Sequence, residues 1–275
     1  MTDEPLRALR VTRHESVAEI ELLGPGKGNA MGPDFFRELP RVFAEIDADE
    51  AVRVVIVRGQ GGQFTYGLDL KAMVPTLGPL IMGESLSRER TRLLALITEL
   101  QRAFDAVERC RVPVIAAIAG WCIGGGVDLI AACDVRLCAA DARFSVREVK
   151  VAMVADLGSL QRLPRIVGQG HARELAYTGK DVDAARALRI GLVNDVYETE
   201  EALLAAARAM AREIADNPPL VVEGVKAVMN DGDGRSVAEG LRHVALWNSA
   251  FLQSKDLGEA FTAFAEKRAP KFTGK

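Results

Sequence analysis

A chain of 275 residues with 49% hydrophobic content is long enough to bury a substantial core, which excludes a disordered segment. Thirty-five basic against 38 acidic residues give a formal charge of −3, and no run of Lys or Arg forms an electrostatic footprint for nucleic acid or a membrane surface. No apolar stretch approaches a membrane span, and the start MTDEPLRALR lacks the basic and apolar regions of a secretory signal, so a small-molecule partner is expected.

The first regular element is read at Val17 to Leu23, where apolar and polar residues alternate as in a half-buried strand; the cluster from Gly24 to Asn29 ends it. A helix follows, with Pro33 and Asp34 in its first turn and Phe35, Phe36, Leu39, Val42, Phe43 and Ile46 as its apolar stripe. Val52 to Val57 is a β-branched run and reads as a buried strand. From Leu86 to Arg109, apolar residues at Leu93, Leu94, Ile97, Leu100, Phe104 and Val107 have helical spacing, and this helix is expected to pack across the sheet edges. Val112 to Ala119 is a continuous apolar strand, followed by Gly124-Gly125-Gly126 and a helical stretch from Val127 to Cys133. Short strands are predicted at Val135 to Ala140, Arg143 to Val146 and Leu192 to Tyr197. Beyond these, helices are broken at Asn217-Pro218-Pro219 and at Asp231 to Gly234. The reading is an α/β core over residues 1–200 and a helical region over 201–275, whose apolar faces need either the core or a neighbouring subunit.

Three places carry chemistry. Glycines after a buried strand let the backbone approach a ligand, and a helix starting there presents unpaired N–H groups to an oxyanion. Asp128 stands three residues beyond Gly125, on the same helical face, about 4.5 Å along the axis. The same features are also compatible with tight packing and a first-turn charge. Phe64 to Leu70 follows another strand and a Gly-rich turn; it offers a second backbone N–H, or else a loop in which Asp69 caps a helix. Glu148 follows a strand. Asp156 lies among Val, Ala, Met and Leu, where a carboxylate is costly unless paired, functional or capping the next helix.

Cys110, Cys122, Cys133 and Cys138 sit in apolar stretches without a C-x-x-C pair, and His14, His171 and His243 are scattered. No disulfide framework and no metal site are expected, and the free thiols point to a reducing cytoplasm. The ending Phe272-Thr273-Gly274-Lys275 is not a Ser-Lys-Leu address.

The run Val114-Ile115-Ala116-Ala117-Ile118-Ala119-Gly120 through Gly124-Gly125-Gly126, then Ala132-Cys133-Asp134 and Gln161-Arg162-Leu163-Pro164, resembles the crotonase (enoyl-CoA hydratase/isomerase) superfamily. Gly28-Asn29-Ala30, the Phe64 to Met73 loop, Gly191-Leu192-Val193 and Phe264-Ala265-Glu266-Lys267-Arg268 fall in family order, so the resemblance spans essentially the whole chain. It implies a spiral of β-β-α repeats with C-terminal helices that mediate homotrimers, often paired into hexamers. It also implies an acyl-CoA thioester substrate, with coenzyme A part of that substrate and no separate cofactor. The thioester carbonyl would sit between the N–H groups of Tyr66 and Gly125. Asn29, Ala30, Phe264 and Lys267 are the candidate contacts to coenzyme A.

Hydratases of that family usually carry two glutamates that hold the attacking water; here those positions are Asp128 and Glu148, and Asp156 stands where they have glycine. The acid set Asp128, Glu148 and Asp156, with Leu246-Trp247-Asn248 later, resembles the dienoyl-CoA isomerase branch, which acts in fatty-acid oxidation. Shifting a conjugated diene toward a thioester needs a proton removed at C2 and one delivered at C6, and separated carboxyl groups suit that task. The expectation assigns Glu148 to C2, Asp156 to C6, and Asp128 to electrostatic assistance. A 2-enoyl-CoA hydratase and a non-catalytic CoA- or RNA-binding module are the alternatives.

Overall fold

Residues 5–24, 27–82 and 87–275 are described in this computed structural model of the chain. Strands β1 (Leu9–His14) and β2 (Val17–Leu22) form an antiparallel hairpin. Helix α1 (Pro33–Asp47) leads to β3 (Val54–Gly59), parallel to β2; α2 (Leu70–Ile81) and α3 (Ser87–Arg109) lead to β4 (Val114–Ile118), parallel to β3. The chain continues through β5 (Trp121–Ile123), α4 (Gly125–Ala132), β6 (Val135–Ala139), β7 (Arg143–Ser145) and a 3-10 turn at Glu148–Val151. Then come α5 (Ser159–Thr178), β8 (Val182–Asp183), α6 (Ala184–Arg189) and β9 (Asp195–Tyr197). One sheet runs β1-β2-β3-β4-β6-β9 and a smaller one β5-β7-β8. From β4 onward each turn of the chain therefore places one strand in each sheet, which is the β-β-α spiral.

The apolar runs are continuous because both faces of the large sheet are covered. Val55, Val57, Val114, Ala116 and Ile118 face a core built with α1, α3 and α4, while Val54, Ile56, Ile115, Ala117 and Leu137 face a second core. That second core is closed by α7 (Glu200–Ala215), whose Leu203, Ala207, Ala211 and Ala215 repeat every four residues and are fully or nearly fully buried. Helix α7 therefore packs directly on the large sheet.

The same covering helix explains why β2 is buried along its whole length rather than half-buried. Glu19, on its polar face, is enclosed by α7 and held by Arg208 at 2.5 and 3.0 Å, which matches the buried charge with a bidentate partner. Helix α3 also departs from expectation: it packs on α1, α2 and α4 rather than across the sheet edges. The apolar stripe Leu100, Ala103, Phe104 and Val107 matches helical partners better than strand edges. Leu86, the expected start, and Pro25 and Gly26 of the expected turn lie outside the described residues. Helix α2 contains Pro75 and Pro79, residues that argue against a helix from sequence alone.

Helices α8 (Pro219–Asp231), α9 (Val237–Phe251) and α10 (Lys255–Glu266) complete the chain. Lys226 of α8 is buried and reaches Asp134 at 2.7 Å and the Val112 carbonyl at 3.0 Å, which ties the tail to the end of β4. Leu241, Leu246, Phe251, Leu252, Phe261 and Phe264 remain exposed on α9, α10 and the turn between them.

Candidate functional site

The site is built where α4 begins. Gly124 caps this helix at φ +52°, and the loop from Phe64 to Asp69 lies directly on the junction. A Cβ on Gly126 would stand 2.6 Å from Thr65 Cγ2; one on Gly67 would stand 2.4 Å from the Ile123 carbonyl oxygen and 3.1 Å from the Gly125 nitrogen. These glycines let two stretches of backbone meet, and helix α4 adds its positive end.

Which amides are free is decided by partners far away in sequence. The Tyr66 N–H donates to the Gly28 carbonyl at 2.8 Å, so the expected role of Tyr66 as an oxyanion donor is corrected. The Gly67 N–H donates to Thr65 Oγ1 at 3.0 Å and the Asp69 N–H to the Met31 carbonyl at 2.9 Å. Leu68 pairs with Met31 in a parallel bridge in which the flanking residues make the bonds, leaving its own N–H turned the other way. A Cβ on Gly125 would lie 3.8 Å from that Leu68 nitrogen. Among the described residues, the Leu68 and Gly125 amides are the neighbouring pair without a partner.

Asp128, in the first turn of α4, is 1% exposed. Its Oδ1 accepts a 2.6 Å hydrogen bond from the Ser159 N–H, and its Oδ2 is buried with no partner among the described residues. Burial pushes its pKa up to about 6, the Ser159 amide opposes that shift, and the charge of Asp156 adds to it. Glu148 opens the 3-10 turn beside Gly124; its Oε1 would stand 3.1 Å from a Cβ there, and its Oε2 is buried without a partner among the described residues. Burial, followed by the charges of Asp128 and Asp156, raises Glu148 to about 7. The three acids are thus electrostatically joined.

Asp156 differs from the enclosed acid expected. It lies in an irregular stretch between Ala152 and Gly158, and its side chain reaches solvent, although surrounding protein still raises its pKa. It does not cap α5: Gly158 occupies the cap position, and Asp128 supplies the acceptor for the first amide of that helix.

Of the candidate coenzyme A contacts, Asn29 uses its side-chain amide on the scaffold. Its buried side-chain Nδ2 donates to the carbonyls of Gln60, Gln63 and Phe64, at 2.9, 2.6 and 3.3 Å. That clamp holds the loop carrying Leu68. Ala30 adjoins it, half-buried, while Phe264 and Lys267 are exposed at the end of α10. The four cysteines are free and buried, with thiols raised to about 12 at Cys110, Cys133 and Cys138, so they behave as small hydrophobes. His14, His171 and His243 each face a carboxylate away from these acids. Among the described residues, no cluster of three metal-ligating side chains occurs.

A profile described as enoyl-CoA hydratase/isomerase matches residues 12–275. The chain belongs to that family. It is 47% identical over 269 residues to a mitochondrial delta(3,5)-delta(2,4)-dienoyl-CoA isomerase of Dictyostelium discoideum, covering 96% of this chain and 90% of the relative. It is 42% identical to the peroxisomal enzyme of that name from Arabidopsis thaliana, covering 99% of each chain, and 42% identical to the human mitochondrial one, covering 98% and 82%. Among solved structures, a putative enoyl-CoA hydratase from Streptomyces coelicolor superposes with a TM-score of 0.90 at 33% identity, covering 100% of this chain and 97% of that one. An enoyl-CoA hydratase from Bacillus anthracis gives 0.88 at 31%, covering 98% and 100%. The family and its spiral fold are thereby as expected.

The cytoplasmic setting is corrected, because these isomerase relatives are named mitochondrial or peroxisomal. Free thiols indicate a reducing milieu, and that property does not single out the cytoplasm. Among the described residues, no helix is long and apolar enough to cross a membrane.

Proposed function

We propose that this chain isomerises 3,5-dienoyl-CoA to 2,4-dienoyl-CoA. The observation that carries the reading is a third acid: Asp156 stands in electrostatic reach of Asp128 and Glu148, and Glu148 lies beside the glycine turn that presents the Gly125 amide. Relatives 42% and 47% identical that bear the isomerase name support it.

In this reading the thioester oxygen accepts hydrogen bonds from the Leu68 and Gly125 N–H groups. Glu148, raised to about 7 and therefore substantially ionised near neutrality, takes the C2 proton. The negative charge then spreads from the carbonyl oxygen along the conjugated chain, and each amide donor stabilises it by about 3 kcal/mol. Asp156, whose protonated form the surrounding protein favours, delivers a proton to C6. The acid and base end with exchanged protonation states, and the solvent access of Asp156 provides a route for it to regain its proton. Asp128 raises the proton affinity of Glu148. Coenzyme A enters as part of the substrate, so no separate cofactor is invoked. The exposed Leu246, Phe251, Leu252, Phe261 and Phe264 support a tail seated on a neighbouring subunit in a homotrimer or hexamer. Phe264 and Lys267 would there meet the coenzyme A of that neighbour.

Mixing the purified protein with a 3,5-dienoyl-CoA should raise the absorbance of the conjugated 2,4-dienoyl product. No rise, together with rapid hydration of crotonyl-CoA, would assign the chain to the 2-enoyl-CoA hydratases instead.

A further inference from the structure

We infer that Gln101 of α3 is a positioning residue that aims Asp156, an inference that rests on the isomerase reading above. Gln101, Asp105 and Glu108 occur at i, i+4 and i+7 and so share one helical face. Gln101 reaches the segment that carries Asp156, while Asp105 and Glu108 reach Arg162 in the first turn of α5. Gln101 Nε2 donates to the Asp156 carbonyl at 2.6 Å, and Arg162 Nη2 donates to Asp105 at 2.9 Å and to Glu108 at 2.6 Å. Arg162 lies against Gly158 so closely that a Cβ on Gly158 would stand 1.9 Å from its Nη1.

These contacts divide into two kinds. The Arg162 pairs lock the start of α5 to α3, and the buried Ala155 and Leu157 anchor the chain on either side of Asp156. None of them sets the rotation of the peptide that follows Asp156. In an irregular stretch, neither helix nor strand bonding sets it either, and the Gln101 bond lands on that peptide's oxygen. Rotation there swings the carboxyl relative to C6 of the substrate, and misplacement by about 1 Å is enough to cost catalytic rate.

The test is a double-mutant comparison using 3,5-dienoyl-CoA and the full-length protein. Gln101→Met keeps the shape and removes the donor. In the wild-type background it should lower kcat about tenfold and leave KM within about twofold. In an Asp156→Asn background it should lower kcat by less than about twofold, because the group it aims has already gone. Gln101→Glu, which places an acceptor against the Asp156 carbonyl, should repeat the loss at pH 8 in a second, similarly shaped variant. An unchanged kcat in both single variants overturns the inference, as does an equal loss in both backgrounds, which marks general damage. A wild type that does not isomerise the substrate overturns the inference and the proposed function together, whereas an active wild type with fully active Gln101 variants sinks the inference alone.

Discussion

Asp128 in α4 and Ser159 at the start of α5 are joined by a buried 2.6 Å hydrogen bond from amide to carboxylate across 31 residues of sequence. The bond connects the helix that presents the Gly125 amide to the helix that follows Asp156. Its acceptor is also one of three coupled acids, so this carboxyl serves architecture and electrostatics together.

That double role gives a sign for stability. The folded state raises Asp128 from 3.8 to about 6, so its ionised form is disfavoured by folding. Its contribution is fully present below the unfolded value and is lost as pH rises through about 6. Asp128→Asn retains an acceptor for Ser159 without the charge, and is expected to stabilise the protein by about 1–3 kcal/mol at pH 8. The gain should vanish near pH 4. Thermal or urea melts at both pH values check this, and a variant less stable than wild type at pH 8 would refute it.

Glu148→Gln is expected to reduce kcat by about 10²- to 10⁴-fold with the fold intact. In the wild type, kcat/KM should rise with pH through an apparent value near 7, since the base must be ionised. That value belongs to the coupled Asp128 and Glu148 pair rather than to one carboxyl. Asp128→Asn removes a neighbouring negative charge and should move the rising limb to lower pH. A pH–rate series on both proteins measures the displacement, and an unmoved limb would separate the two acids.

Asp156→Asn should abolish most isomerisation, again by about 10²- to 10⁴-fold, while circular dichroism stays unchanged. Unchanged turnover in the variant would remove Asp156 from the chemistry and return the hydratase reading to first place.

Gly67→Ala tests the oxyanion pair through the backbone. Gly67 has φ +79°, and a new Cβ would press to 2.4 Å from the Ile123 carbonyl oxygen, so the loop must shift and carry the Leu68 amide with it. A loss of about 10²- to 10³-fold in kcat is expected, the cost of one oxyanion donor. Tyr66→Ala, by contrast, leaves the Leu68 amide in place and should affect KM more than kcat. Comparing the two variants on one substrate distinguishes Leu68 from Tyr66 as the donor position.

Much of this arrangement was legible in the order of residues. The β-branched run at 52–57 and the continuous apolar run at 112–119 mark buried strands, and a glycine triplet after the second marks backbone open to a ligand. Asp156 stood out because a carboxylate within an apolar stretch demands a reason, Asp128 because it follows the glycine triplet on a helix, and Glu148 through the family resemblance. These are local properties: period, side-chain volume and charge against its neighbours. The distribution of hydrogen bonds is not local. Gly28 takes up the Tyr66 amide, the Met31 bridge leaves the Leu68 amide open, Asn29 spends its side chain on three carbonyls, Ser159 claims one oxygen of Asp128, and Gln101 reaches Asp156 from another helix. Each polar group has few bonding valences, and which are taken depends on segments brought together only by folding. Periodicity therefore marked the strands and helices, and the order of motifs, through its family resemblance, pointed to the fold and the acids, while tertiary contacts decided which amides and which carboxylate oxygens remain open for chemistry.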